Sequence, residues 1–280
     1  MESTISRIEL GDGGTLAYRE WGHKQDPAVV LIHSLAMTGD FWKGVGERIA
    51  RHDYRVIAPD CRGHGLSSLK PDLTVERAAD DVAELLDSLG VATACVAGAS
   101  MGGSIALALA IRHGRRTCAL GLVDTTAWYG EGAPKAWDER AQKARKEGLG
   151  GLVDFQRSRW FTEGFRQQNP QEVEQVVNVF LSNDIEGYAA ACRLLGSCDL
   201  RTGLPKLSVP TAIIVGEEDY ATPPAMAEYM ARSIPGAEMQ VLPGLRHLTP
   251  LEAPDRVAEI LLGVFDKARR QEDRKWHLTR

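Results

Sequence analysis

Short apolar runs alternate along much of this 280-residue chain with segments of helical periodicity. At the start, residues 5–10 and 16–21 flank Gly11-Asp12-Gly13-Gly14, a turn-rich tetrad that predicts an antiparallel hairpin. The rhythm then becomes strand followed by helix. Ala28–Ile32 precedes 40–50, Arg55–Pro59 precedes 74–89, and 94–98 precedes 101–113, with a further strand at 118–124. Thr211–Gly216 and Glu238–Leu242 resume the pattern, followed by helical segments at 224–234 and 254–268. Strands connected through helices run parallel and carry helices on both faces, so the pattern predicts an α/β fold with a mostly parallel central sheet.

Between residues 124 and 211 the alternation stops. Segments 137–146, 152–159, 170–181 and 185–195 are all helical in character and are separated by Gly, Pro and Asn. A helical block inserted between two core strands reads as a lid over the C-terminal edge of the sheet, where open α/β sheets place their sites. The expected organisation is a core of residues 1–126 and 207–270, an inserted lid of 127–206, and a charged C-terminal tail of 271–280.

Composition changes this picture little. An apolar share of 44% and a charged share of 25% are ordinary for a globular protein. A net charge of −5 gives no support to a nucleic-acid partner. No apolar run approaches the ~20 residues that span a bilayer, so no membrane partner is expected. The first residues, Met1-Glu2-Ser3-Thr4, lack the basic and apolar regions of a secretion signal, and the five cysteines show no regular spacing; a cytoplasmic protein is expected. H-x-H, H-E-x-x-H and C-x-x-C patterns are absent, so neither a metal nor another cofactor is expected.

The chemistry concentrates at Gly98-Ala99-Ser100-Met101-Gly102, which stands between a predicted strand and an Ala/Leu-rich predicted helix. The pattern G-x-S-x-G is weak by itself; the strand–turn–helix context gives it meaning. A tight turn lifts Ser100 out of the backbone, and the two glycines let the helix pack back on the strand. A serine hydroxyl needs a base within hydrogen-bond reach, and the base needs an orienting group. His247, on the loop leaving the last strand, is the best-placed base. Asp219, directly after the penultimate strand, is the expected acid, with Asp124 at the end of the preceding strand as the alternative position. An oxyanion would be held by the N–H groups of Met101 and, from the loop His33-Ser34-Leu35-Ala36-Met37, of Leu35. His33 is expected to brace its loop.

Together these residues resemble the α/β-hydrolase superfamily over almost the whole chain. The resemblance rests on Leu31-Ile32-His33-Ser34-Leu35, the turn Asp60-Cys61-Arg62-Gly63-His64-Gly65-Leu66-Ser67, the serine turn, Gly216-Glu217-Glu218-Asp219 with Thr222-Pro223-Pro224, and Arg246-His247-Leu248. It implies the α/β-hydrolase fold and makes His64 a bracing residue. Within the superfamily the chain looks like the 3-oxoadipate enol-lactonases, from His33-Ser34-Leu35, Ser158-Arg159-Trp160-Phe161-Thr162 and Gly187-Tyr188-Ala189-Ala190-Ala191-Cys192. That likeness implies a lactonase acting on a small ester or lactone. Two features depart from the family: the bulky pair Trp128-Tyr129 at the start of the lid, and Arg246 before the histidine. Ser34, Trp137, Trp160 and Arg159 are the expected substrate-binding residues; Arg140, Arg159 and Arg193 are candidates to anchor a carboxylate, and Phe161 and Tyr188 complete the lid aromatics. The rival readings are a carboxylesterase or C–C bond hydrolase with the same triad, and a slow-turnover receptor that presents its lid to a protein partner.

Overall fold

The computed structural model describes residues 4–70 and 73–278, and its centre is an eight-stranded sheet. The strands are β1 (Thr4–Glu9), β2 (Thr15–Trp21), β3 (Ala28–Ile32), β4 (Arg55–Pro59), β5 (Ala94–Ala99), β6 (Thr117–Val123), β7 (Thr211–Gly216) and β8 (Glu238–Leu242). They lie in the order β1-β2-β4-β3-β5-β6-β7-β8. β1 and β2 form the expected hairpin, β2 also pairs antiparallel with β4, and every other pairing is parallel. The central strands β3, β4, β5 and β7 are buried along their whole length, which explains their unbroken apolar runs.

The connections are helical. α1 (Lys43–Ala50), α2 (Val75–Ser88) and α3 (Met101–Arg112) follow β3, β4 and β5. α3 packs on β5 and β6 with α2 beside it. Between β6 and β7 come α4 (Ala133–Glu147), α5 (Val153–Trp160), α6 (Glu163–Gln168), α7 (Pro170–Leu181) and α8 (Ile185–Ser197). α9 (Pro224–Ser233), α10 (Thr249–Glu252) and α11 (Pro254–Leu278) complete the chain, and α11 packs with α1 and against β6 and β7. No helix among the described residues is long and apolar enough to cross a membrane.

Beyond shifts of a residue or so, two helix ends and two extra helices differ from the sequence expectation. α4 begins at Ala133, four residues earlier than predicted, because Pro134 sits in the first turn where its missing N–H costs nothing. α6 and α10 are additional short helices. α11 continues to Leu278, so the expected tail extends a helix as far as that residue, and the side chains from 272 onward lie outside those described. Lys, Arg, Glu and Gln are good helix formers and sustain such an extension.

Candidate active site

Ser100 stands at the junction of β5 and α3 with φ 52° and ψ −117°, a conformation L-residues rarely adopt. The junction is held from several sides. The Ser100 N–H donates to Val123 O at 2.9 Å, and its carbonyl accepts from Gly103 N at 2.9 Å and Thr125 Oγ1 at 2.6 Å. The glycines are needed for contact: a Cβ on Gly98 would overlap the Gly102 carbonyl, and one on Gly102 would overlap the Ile32 carbonyl.

His247 lies on the loop between β8 and α10, and its Nε2 is 2.9 Å from Ser100 Oγ. Its Nδ1 is 2.8 Å from Asp219 Oδ2. An ionised carboxylate only accepts, so Nδ1 carries the proton and Nε2 is free to accept from the serine hydroxyl. Asp219 also accepts from Thr222 Oγ1 at 2.8 Å, Ala221 N at 2.7 Å and Thr222 N at 2.9 Å. Burial works to raise its pKa, but the His247 imidazole and these bonds prevail and hold the carboxyl below the usual range.

Asp124 is elsewhere. Its carboxylate accepts from Gly216 N at 3.1 Å, Thr249 N at 3.0 Å and Thr249 Oγ1 at 2.7 Å, tying the end of β6 to β7 and α10. Complete burial, with the Asp219 charge adding to it, pushes its pKa well above the usual value. It has no bond to His247.

Two backbone N–H groups flank the serine without an acceptor among the described residues, those of Leu35 and Met101. Met101 opens α3, where the first N–H groups of a helix are free and its positive end lies. Neither His33 nor His64 reaches Ser100. His33 Nε2 accepts from Cys61 N at 2.8 Å while its Nδ1–H meets Ser34 O at 2.7 Å, and His64 Nδ1 lies 3.1 Å from Arg62 O.

A cavity of about 50 Å³ opens over Ser100 and His247, lined among others by Ser34, Leu35, Trp137, Arg159 and Trp160. It also brings in Tyr129, Arg140, Gln156, Ala221 and Thr222. It adjoins a wider trough of about 570 Å³ with which it shares Tyr129, Trp137, Arg140, Arg159 and Ala221. Another depression, of about 360 Å³ between residues 37–47 and 172–179, contains none of Ser100, Asp219 and His247. Arg193 opens onto a different hollow beside Leu69 and Lys70, so it does not join Arg140 and Arg159. Trp128 also leaves the site, lying 3.7 Å from the Arg201 guanidinium. Phe161 stacks on Phe165 with centroids 5.0 Å apart, and Tyr188 packs on Phe180; neither lines the cavity.

The two cavity arginines make no direct ion pair among the described residues, although the Asp219 charge favours the charged form of Arg159. Arg140 Nε donates to Tyr188 Oη at 2.7 Å and lies over the Trp137 ring at 4.8 Å; Arg159 Nη2 donates to Tyr220 O at 2.7 Å. Both guanidiniums approach the Phe155 ring, at 5.5 and 4.9 Å, and neither has a carboxylate partner among the described residues. Burial, followed by the nearby Arg140 charge, lowers the pKa of Arg159. The Tyr129 hydroxyl is buried here beside Ser100 and Ser104. Gln156, Ala221 and Thr222 carry no local signal that marks them as lining residues; only the packing of α5 and the Asp219 loop assembles them.

A parallel sheet with a strained serine between strand and helix, hydrogen-bonded to a histidine and through it to an aspartate, is the architecture of one large class of hydrolases. The family model for the alpha/beta hydrolase family matches residues 29–260, and the chain belongs to that family. Among characterised relatives, 3-oxoadipate enol-lactonase 1 of Acinetobacter baylyi is 31% identical over 253 residues, 90% of this chain and 93% of that protein. The enol-lactonase of Burkholderia xenovorans LB400 superposes with a TM-score of 0.88 at 33% identity, covering 92% of this chain and 99% of that one. A malate-bound thermophilic esterase from Thermogutta terrifontis gives 0.87 at 33% identity, over 95% and 99% of the two chains.

Proposed function

We propose that this hydrolase opens small lactones that carry a carboxylate, through an acyl-enzyme on Ser100. Ser100 Oγ attacks the lactone carbonyl as His247 Nε2 takes its proton, and Asp219 holds the imidazole in the required tautomer. The N–H groups of Leu35 and Met101 receive the developing oxyanion. Collapse breaks the ring C–O bond, His247 returns the proton to the leaving oxygen, and water, activated by the same histidine, releases the acid and regenerates Ser100. The observation that carries the substrate class is the pair Arg140 and Arg159, two cations in the roof of the cavity, neither in an ion pair with a carboxylate. Partly desolvated guanidiniums bind a carboxylate strongly. The likeness to enol-lactonases at 31–33% identity supports the lactone, and the small chamber over Ser100 suits a compact ring ester better than an extended one.

The wider trough favours one alternative, a linear carboxylic ester whose chain lies between Trp137, Phe155 and Met226. A panel of acidic lactones, neutral lactones and linear esters of equal carbon count separates the two. The expected ranking places acidic lactones first, unaffected by chelator. Ser100→Ala should lower kcat by ~10³-fold or more with the fold intact. Arg140→Met or Arg159→Met should raise KM about tenfold for acidic lactones alone, since the desolvated carboxylate loses a partner. A preference for linear esters, or no effect of either arginine on an acidic lactone, would overturn the substrate reading.

A further inference from the structure

The end of α5 and the loop carrying His247 are bonded at four consecutive carbonyls. Arg246 Nη1 donates to Ser158 O at 2.6 Å and to Phe161 O at 3.1 Å. Between them, His247 N donates to Arg159 O at 3.4 Å and Leu248 N to Trp160 O at 3.2 Å. The last carbonyls of a helix have no partner within it, and here a loop from the far end of the chain supplies every one of these four. A cation at this position also meets the negative end of the helix dipole. Glu252 closes the arrangement from below. Its Oε1 accepts from Arg246 N at 3.2 Å and its Oε2 accepts from Thr162 Oγ1 at 2.7 Å and Thr162 N at 3.2 Å. The Arg246 guanidinium lies 5.3 Å from the Tyr220 ring, with Nε 3.4 Å from Glu218.

Arg159 and Trp160 therefore face two ways. Their side chains line the cavity above Ser100, while their carbonyls hold the backbone of His247 and Leu248. We propose that Arg246 is a positioning residue that locks the roof helix α5 to the histidine loop, so that substrate contact on Arg159 and Trp160 sets the alignment of His247 with Ser100. The inference rests on His247 acting as the base, whichever ester is cleaved. Arg246 touches neither substrate space nor the reacting atoms; it acts through the imidazole.

The test is a cycle of Arg246→Met and Asp219→Asn on the best substrate of the panel, with unfolding midpoints measured in parallel. Arg246→Met should lower kcat by about 10- to 100-fold with KM little changed, because a small misplacement of a catalytic group costs that much. Arg246→Lys, which keeps one donor for the carbonyls, should recover part of the loss. The double variant should lose less than the product of the single losses, since both substitutions misalign the same ring. Parental kcat in Arg246→Met, a change in KM alone, or fully multiplicative losses would overturn the proposal. If the Met variant does not fold, Arg246→Lys decides: a several-fold fall in kcat at unchanged KM supports the proposal, and parental kcat overturns it. Parental kcat in Asp219→Asn would instead sink the Ser100–His247–Asp219 relay itself.

Discussion

Two buried aspartates, Asp219 and Asp124, stand on neighbouring strand ends with opposite protonation tendencies. Four hydrogen bonds, one of them from the imidazole, hold Asp219 in its charged form, whereas burial drives Asp124 towards its neutral one. Environments that push paired carboxyls apart assign them different work. Asp219→Asn should lower kcat by on the order of 10²–10⁴ with little change in KM, through a mis-set imidazole. Asp124→Asn should leave kcat near its parental value, since the amide oxygen can still accept from Thr249; its NH2 would then face the Gly216 N–H, a loss read in stability rather than in kcat. Steady-state kinetics of the two variants checks this, and the reverse ranking would move the orienting acid to Asp124. The sequence places both residues after strands, and only the bond to His247 tells them apart geometrically.

Among the elements, the turn at Ser100 is the least tolerant of change. Gly102→Ala would drive a methyl group into the Ile32 carbonyl, a backbone atom of the central sheet that has nowhere to go. Loss of about 3 kcal/mol or more is expected, read as a lower urea midpoint. This turn and the buried strands were legible in the sequence because apolar runs and glycine spacing are local signals. α6 and α10 were not legible: Glu163–Gln168 and Thr249–Glu252 are too short for an apolar stripe to repeat. Thr162 and Glu252 define those segments through each other, 90 residues apart, and no local pattern records such a bond. The same holds for the cavity. Trp160 lies in a motif the sequence displays, but Arg140 on α4 and Arg193 on α8 are told apart only by the hollow each opens onto.

For the molecule as a whole, stability in acid depends on buried histidines that bind protons poorly when folded. Burial, with the neighbouring His64 adding to it, depresses the pKa of His33, and burial depresses that of His64. As pH falls below about 6.5 the unfolded chain binds these protons and the folded protein does not, so stability present at neutral pH is lost. His33→Gln removes one such proton; the slope of unfolding free energy between pH 7 and 5 should become shallower by up to about 1.4 kcal/mol per pH unit. An unchanged slope in urea titrations would place the acid sensitivity elsewhere. The sheet and its turns thus admit few alternatives. The roof is different, because six of the twelve residues lining the cavity fall between Tyr129 and Trp160. On the proposed reading, half of the substrate-facing residues are therefore written in one contiguous stretch of about thirty codons, separate from the codons for Ser100, Asp219 and His247. A single recombination event across that stretch could hand the enzyme a new substrate while leaving its chemistry untouched, provided the incoming segment still ends in carbonyls that Arg246 can hold.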